Sequence, residues 1–305
     1  MLNRLSKIFY TATTTPDTTI FAIGDTHGYL DALKALCAKI DTYKAKHPNK
    51  HIIEVFLGDY VNRGPQSKEV LDFLIERSRL QDGVKRVFLA GNHDVAFRRI
   101  LKETHKHKTI STTEEMFYDF GGPETLASYG VPMRTFRFPE RGSTHHIVRG
   151  SSLYIDRTCL DIMRDELVAQ VPASHLLFLE KMKTSYTNGK YLFVHAGIDP
   201  SVPLAEQDRD YVRGLNSKAR KFPNHKGRLE DDMVVVHGHT IAPEPYHTRN
   251  QIGVDTGVYK PGHGNITCAV LTGQDVKFLK ARTHLPPFEE NKSPAMVAAR
   301  GFVLN

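Results

Sequence analysis

Gly24-Asp25-Thr26-His27-Gly28 follows directly on the apolar run Thr19 to Ile23. A short apolar run closed by a glycine reads as a buried strand. A strand ending there presents an acid and an imidazole, two residues apart, to one spot. Asp and His also occupy ordinary strand-to-helix turns, so this stretch alone is half of a metal site and no more. The reading turns on whether other strands end in the same way.

They do. A helix from about Leu30 to Lys46 follows, with Leu33, Leu36, Cys37 and Ile40 at helical spacing. The unit then recurs as a strand at His51 to Leu57, the turn Gly58-Asp59-Tyr60-Val61-Asn62-Arg63-Gly64-Pro65, and a helix through Val70, Leu71, Leu74 and Ile75. Pro65 suits a first helical turn, where its missing N–H has no partner to lose. A third copy runs through strand Val84 to Ala90, turn Gly91-Asn92-His93-Asp94 and helix Val95 to Leu101. Alternating strands and helices predict a parallel-rich sheet, and ligands of such sheets gather beyond the carboxyl ends of the strands.

Further on come a helix near Ser174 to Lys183 and a hairpin at Thr187-Asn188-Gly189-Lys190, where Asn-Gly favours a tight primed turn. Strand Tyr191 to Val194 ends in His195-Ala196-Gly197, and strand Met233 to Val236 ends in His237-Gly238-His239-Thr240. The last runs, Gln251 to Val254, Ile266 to Leu271 and Val276 to Leu279, read as an antiparallel meander with a tight turn at Asp255-Thr256-Gly257.

With 305 residues, 40% of them apolar and 25% charged, the chain can bury a large core. It shows no apolar run near the roughly 20 residues that span a bilayer and no apolar leader with a cleavage site, so no membrane contact and a cytoplasmic location are expected. Cys37, Cys159 and Cys268 are far apart, which predicts buried thiols rather than a disulfide framework or a thiolate zinc site. The net charge of +7 is scattered. It suits a phosphate-bearing substrate, and nucleic-acid binding is not favoured. The expected organisation is a Thr-rich N-terminal arm over 1–18, one domain over 19–282 and a C-terminal tail over 283–305. The stretch 103–171 reads as an insertion of loops and short helices covering the site.

Five strands thus end in Asp/His, Asp, Asn/His, His and His, each beside a glycine that lets the backbone pass close to a ligand. Mixed oxygen and imidazole donors suit manganese, iron or zinc. Six candidate ligands exceed the needs of one tetrahedral ion and match two ions sharing a carboxylate, the arrangement that clamps an attacking water and a phosphoryl oxygen.

In that order, GDTHG, GDYVNRGP, GNHD, VHAG and HGHT resemble the calcineurin-like metallophosphoesterases, and within them the phosphoprotein phosphatases, over about residues 19 to 280. GGPETLASYGV, FVHAGIDPSVPLAEQD and IGVDTG are similar to the bacterial serine/threonine phosphatase branch. The resemblance implies a four-layer α/β sandwich of two mixed sheets. It implies two divalent ions, manganese first, with Asp25 and His27 on one, Asp59 bridging, and Asn92, His195 and His239 on the other. It makes His237 a packed neighbour, His93 the general acid that protonates the leaving oxygen, and Arg63 a phosphate-gripping residue whose planar fork holds two oxygens. A second such arginine is expected where relatives carry Trp-x-Arg-Glu. Tyr211-Val212-Arg213-Gly214 occupies that place here, which nominates Arg213.

Two positions depart from the family pattern: Asn62 stands where GDxVDRG has aspartate, and Asp94 where GNHE has glutamate. Asn62 adds no charge beside His93, whose pKa is therefore expected to be lower than in relatives with aspartate. The symmetrical diadenosine tetraphosphatases share both departures. The implied function is hydrolysis of phosphomonoesters by direct attack of a metal-bridging water, with phosphoserine or phosphothreonine proteins favoured and diadenosine tetraphosphate as the alternative. A non-catalytic binder of phosphorylated partners is a third reading, opposed by the complete ligand set. Tyr29, Tyr60 and Tyr259 are assigned to packing, and His105, His107, His145, His146 and His263 to exposed loops.

Overall fold

The computed structural model describes residues 12–47, 51–102, 112–134, 145–147, 154–227 and 229–288. Strand β1 (Thr18–Ile23) is buried along its whole length. Its alternating side chains serve two cores, as the period of a strand requires: Phe21 and Ile23 join the helices, while Ile20 and Ala22 join the opposite sheet.

Helix α1 (Leu30–Lys46), β2 (His51–Phe56), α2 (Ser67–Ser78), β3 (Lys85–Phe88) and α3 (Asn92–Lys102) complete the three strand–turn–helix units. The chain continues through α4 (Thr112–Asp119), α5 (Gly122–Ser128), the small hairpin of β4 (His145–Ile147) and β5 (Tyr154–Asp156), α6 (Arg157–Gln170) and α7 (Ala173–Lys181). Then come β6 (Ser185–Asn188), β7 (Tyr191–Val194), α8 (Arg209–Val212), β8 (Val234–His237), β9 (Tyr246–His247), β10 (Gln251–Gly253), β11 (Asn265–Thr272) and β12 (Asp275–Arg282). One five-stranded sheet has the order β12-β11-β1-β2-β3 and the other β6-β7-β8-β10-β9. Both are mixed. They pack face to face through Ile20, Val55, Phe193, Val236 and Leu271, with α1 to α3 outside the first sheet.

Register delivers the functional loops together. In the parallel set, Ile23 pairs with Phe56 and Phe56 with Phe88. In the second sheet Phe193 pairs with Val236 and Val236 with Ile252. Strands that end level with one another release their loops at one edge.

Three expectations need correction. β10 is no part of a meander with β11: it runs parallel to β8 in the second sheet, and only β11 and β12 form a hairpin, in the first. An apolar run identifies a strand but not its partner, and Ile252 and Val254 are claimed by the core between the sheets. Within 103–171, the described residues form, besides the β4–β5 hairpin, a helical layer beside α2 and α3. Phe117, Leu126, Leu160 and Met163 join the main core, and α6 is 14 residues long. Residues 12–17 are not loosely held, since Ala12 and Thr14 are buried and the Thr14 N–H bonds the Gly273 carbonyl at 3.2 Å. The three cysteines are free and buried, as expected. Among the described residues no helix is long and apolar enough to cross a membrane.

One polar cluster staples the helices to the sheet. Glu54 on β2 is fully buried, and it accepts from Arg77 Nε at 2.8 Å and Nη2 at 2.7 Å, from Lys44 Nζ at 2.9 Å and from Arg86 Nε at 3.1 Å. Three cations from α1, α2 and β3 thus converge on one carboxylate. Asp41 also pairs with Arg77 and Lys44, and Asp82 with Arg86, so an uncharged side chain at position 54 leaves the cations only these more exposed partners, at a cost of about 3 kcal/mol, the lower end for breaking a buried pair. Glu54→Gln is expected to lower the unfolding free energy measured in urea by about that amount, as a lower midpoint at unchanged m-value, and a midpoint equal to that of the wild type would contradict this role.

Candidate metal centre

Each strand end turns sharply. His27, Asp59, Asn62, Arg63 and His239 have left-handed backbones, with φ of 47°, 55°, 73°, 72° and 61°. L-residues occupy that region at a cost of about 1–2 kcal/mol, and such strain collects where a site over-determines the geometry. These five account for most of the eight non-glycine residues of positive φ among those described.

Asp94 supplies much of the constraint. Its Oδ2 accepts from the Asp59 N–H at 2.7 Å and the Gly91 N–H at 2.9 Å, and its Oδ1 accepts from the Tyr60 N–H at 2.9 Å. The turn after β2 is thereby tied to the turn after β3. Gly91 leaves room for the Asp59 side chain, because a Cβ there would stand 2.1 Å from Asp59 Oδ1.

Asp59 sits between two imidazoles whose orientation is fixed by backbone carbonyls. His27 Nδ1 bonds Val61 O at 3.1 Å, and His195 Nδ1 bonds Leu57 O at 2.9 Å. With Nδ1 donating, each Nε2 presents a lone pair, at 3.6 Å and 3.3 Å from Asp59 Oδ2. A lone pair facing a carboxylate needs a cation between them: a proton in the metal-free chain, as the raised pKa of His195 reflects, or a metal ion in its place. Asn92 Oδ1 lies 3.2 Å from His195 Nε2 and 3.1 Å from His239 Nδ1, which adds an oxygen donor to the second group.

Two trios of donor atoms result, His27–Asp59–His93 and Asp59–His195–His239, each with its atoms within 4.8 Å of one another. They share Asp59. Asp25 belongs to neither trio, and its carboxylate accepts from the His239 N–H at 3.1–3.2 Å. Gly238 makes that approach possible, since a Cβ there would meet Asp25 Oδ1 at 2.0 Å.

The electrostatics fit a centre for cations. Burial pushes Asp25 well above the usual carboxylate range, and its neighbours Asp255 and Asp59 push it further. Asp255 rises to about 6, again through burial first. Burial opposes the charge on Asp59 too, but His195 and His93 outweigh it and hold Asp59 well below the usual range. The same interaction, working against burial, raises His195 to about 10. Acids crowded in this way lack positive charge, which divalent ions supply.

His93, the third member of the first trio, also faces the cleft. Its Nδ1 is 3.0 Å from Asn62 Nδ2, while Asn62 Oδ1 accepts from the Thr125 hydroxyl at 2.8 Å. The Thr125 bond orients the amide so that its NH₂ donates to His93. His93 therefore carries its proton on Nε2 and is neutral. Burial, opposed by Asp59 and reinforced by His27 and Arg63, holds it well below the ordinary imidazole value. Nε2 is 3.4 Å from Arg63 Nη2, so two donors face the same part of a cleft of about 370 Å³. The Arg63 guanidinium lies over the Tyr259 ring at 4.0 Å, and its backbone N–H bonds Gly121 O at 3.1 Å.

The structure thus brings Asp59, His27, His93, Asn92, His195, His239, Asn62 and Arg63 together. It does not bring Arg213 to them: Arg213 Nη2 donates to Thr184 Oγ1 at 2.8 Å and the side chain lines a neighbouring cavity. Arg213 is the C-cap of α8, and the left-handed Gly214 beside it, not Arg213, faces His239. His237 is buried, with the Tyr246 hydroxyl 3.0 Å from its Nε2. Asp94, Thr125 and Tyr259 gain roles that the motif reading did not give them. For Thr125 the signal was the phrase Gly121-Gly122-Pro123-Glu124-Thr125. His105 and His107 lie outside the described residues, His145 and His146 open β4 rather than a loop, and His263 is half-buried with Nδ1 on Thr256 O.

Comparison with known proteins agrees with this geometry. A family model for calcineurin-like phosphoesterases matches residues 18–271. An asymmetrical bis(5'-nucleosyl)-tetraphosphatase of Anoxybacillus flavithermus is 24% identical over 260 residues, covering 77% of this chain and 84% of the relative. A symmetrical bis(5'-nucleosyl)-tetraphosphatase of Azotobacter vinelandii is 33% identical over 97 residues, 32% of this chain and 31% of the relative. Among solved structures, one provisionally assigned as a diadenosine tetraphosphatase superposes with a TM-score of 0.52 at 16% identity, covering 88% of this chain and 98% of that one, a likeness of fold.

Two outcomes follow from the centre. Gly91→Ala forces Asp59 to move, and a displacement of that order costs about 100-fold in rate; kcat/KM in manganese is expected to fall by that factor, and an unchanged value would contradict the tight packing at Gly91. Metal at about 100 times its Kd stabilises the folded chain by about 2.7 kcal/mol. Chelation is expected to lower the urea midpoint accordingly, and a midpoint indifferent to chelator would contradict a native-state metal site.

Proposed function

The chain belongs to the calcineurin-like phosphoesterase family and is a metal-dependent phosphoric ester hydrolase; from that premise we propose that its substrates are dinucleoside polyphosphates and that manganese is its metal. The observation that carries the substrate reading is the Asn62 amide on His93 Nδ1. A neutral imidazole with its proton on Nε2 can donate a hydrogen bond but is a weak acid. It suits a leaving group that departs as a nucleotide phosphate, which needs little protonation. A serine alkoxide is a far stronger base and needs the imidazolium that an aspartate at position 62 would stabilise. The tetraphosphatase relatives point the same way.

The two ions, when bound, supply Lewis acidity at the phosphoryl oxygens and lower the pKa of the attacking water. Asp59, shared by both trios, would serve both ions, with His27 and Asp25 holding one and Asn92, His195 and His239 the other. Arg63, its guanidinium braced on Tyr259, donates to phosphoryl oxygens through its fork. His93 Nε2–H donates to the oxygen that carries negative charge as the bond breaks, an effect worth about 10²–10³ in rate for such donors.

Phosphoserine and phosphothreonine proteins are the second reading, supported by the phrases shared with bacterial serine/threonine phosphatases. Turnover of diadenosine tetraphosphate and of a phosphoserine peptide, measured side by side in manganese, separates the two. A kcat/KM at least tenfold higher for the dinucleotide is expected; the reverse order overturns the reading. An opposite charge on His93 favours its charged form by a pKa unit or more. Asn62→Asp is accordingly expected to raise phosphoserine turnover relative to dinucleotide turnover by about tenfold, and a ratio that does not move would remove Asn62 from the account.

A further inference from the structure

Beside the metal cleft, and separated from it by the segment Val212–Gly214, lies a cavity of about 890 Å³ that the proposed reaction does not use. The Ala196 N–H bonds Val212 O at 2.9 Å, so this segment is fixed as a wall. Gly214 faces the metal cleft, and Arg213 faces the cavity.

Arg98 of α3, Lys183 before β6, and Arg209 and Arg213 of the α8 segment all line the cavity. Among the described residues none of the four has an ion-pair partner. The nearby acids are engaged elsewhere, Glu180 with Lys102 at 2.5 Å and Asp210 with Arg99 at 3.4 Å. Arg213 keeps a buried Nε without a hydrogen-bond partner. Burial and the neighbouring Arg98 hold its guanidinium below the ordinary value. Like charges gathered in this way destabilise a fold, and an oxyanion relieves them through the arginine fork.

The remaining lining is mixed: Glu180, Thr184, Ser185, Thr187 and Gln207 are polar, and one wall is apolar. Leu192 and Val194 pair with Thr187 and Ser185, so they share one face of the β6–β7 hairpin, and Ile198, Leu204 and Val212 complete the surface. The volume is that of a site for a small organic molecule and exceeds what a bare phosphate fills.

We propose that this cavity is a second ligand site that binds a phosphorylated small molecule with a flat apolar body, the class that nucleotides exemplify. The phosphate takes Arg213 with Arg98 and Arg209, and the ring lies on Leu192, Val194 and Leu204. No covalent step is involved, and the site is independent of which ester the metal cleft cleaves.

Calorimetric titration of the manganese-loaded full chain with the β,γ-imido analogue of ATP tests this. Two binding events per chain are expected in the wild type. The double variant Arg98→Glu/Arg209→Glu is expected to lose one event, or weaken it at least tenfold, with unchanged turnover and a melting temperature no lower than that of the wild type. Arg63→Ala is expected to weaken only the other event. A single event, or two that survive the double variant, overturns the proposal. Inorganic phosphate binding the cavity as tightly as the nucleotide analogue shows a bare-oxyanion site and overturns the role of the apolar wall. Displacement of the analogue from this site by hexaglutamate, but not by ADP, overturns the ligand class in favour of an acidic peptide.

Discussion

The carboxylate of Asp59 is the point through which the site is tied together. It stands 3.6 Å and 3.3 Å from two imidazole nitrogens whose other ring nitrogens are locked by backbone carbonyls. Its backbone is held in a left-handed turn by Asp94, and its side chain occupies the space that Gly91 leaves. A buried carboxylate in such surroundings requires compensating positive charge. The two trios that share it are arranged to receive that charge, and the level ends of β1, β2, β3, β7 and β8 exist to bring them there. Removing the sharing residue would dissolve both groups at once.

Much of this was legible in the chain before the structure. Each ligand follows a strand directly, and a strand's position in a parallel set determines where its carboxyl end lies, so Gly24-Asp25-Thr26-His27-Gly28 and its later copies could be read as one edge. What was not legible depends on contacts remote in sequence. The partner of β10 is set by the core between the sheets, which takes Ile252 and Val254. The helical layer within 103–171 is masked by the glycine-bearing and basic stretches on its N-terminal side, although Leu160, Met163 and Leu167 stand at helical spacing in a glycine-free run. The expected role of Arg213 fails for a local reason: at the end of α8, beside the left-handed Gly214, its side chain bonds Thr184 and lines the neighbouring cavity instead of the metal cleft. Asp94 looked like a mere departure from a family phrase, and only the geometry shows three backbone amides converging on it.

Asn62 connects structure to substrate. Thr125, 63 residues away, orients its amide, and the amide in turn sets which nitrogen of His93 carries the proton. The chain thus controls the acidity of one imidazole through a hydroxyl supplied by α5. Under the proposed function this contact acts on the leaving group rather than on substrate shape, through the protonation that the departing oxygen would receive.

The central claim is that Asp59 is shared by two metal ions. Metal content of the full-length chain, stripped and reloaded with manganese and then measured by mass spectrometry of the dissolved metal, tests it most directly. The account predicts two ions per chain in the wild type and fewer than one in Asp59→Ala, since both trios lose the residue they share. One ion per chain in the wild type, or two retained by Asp59→Ala, would contradict it.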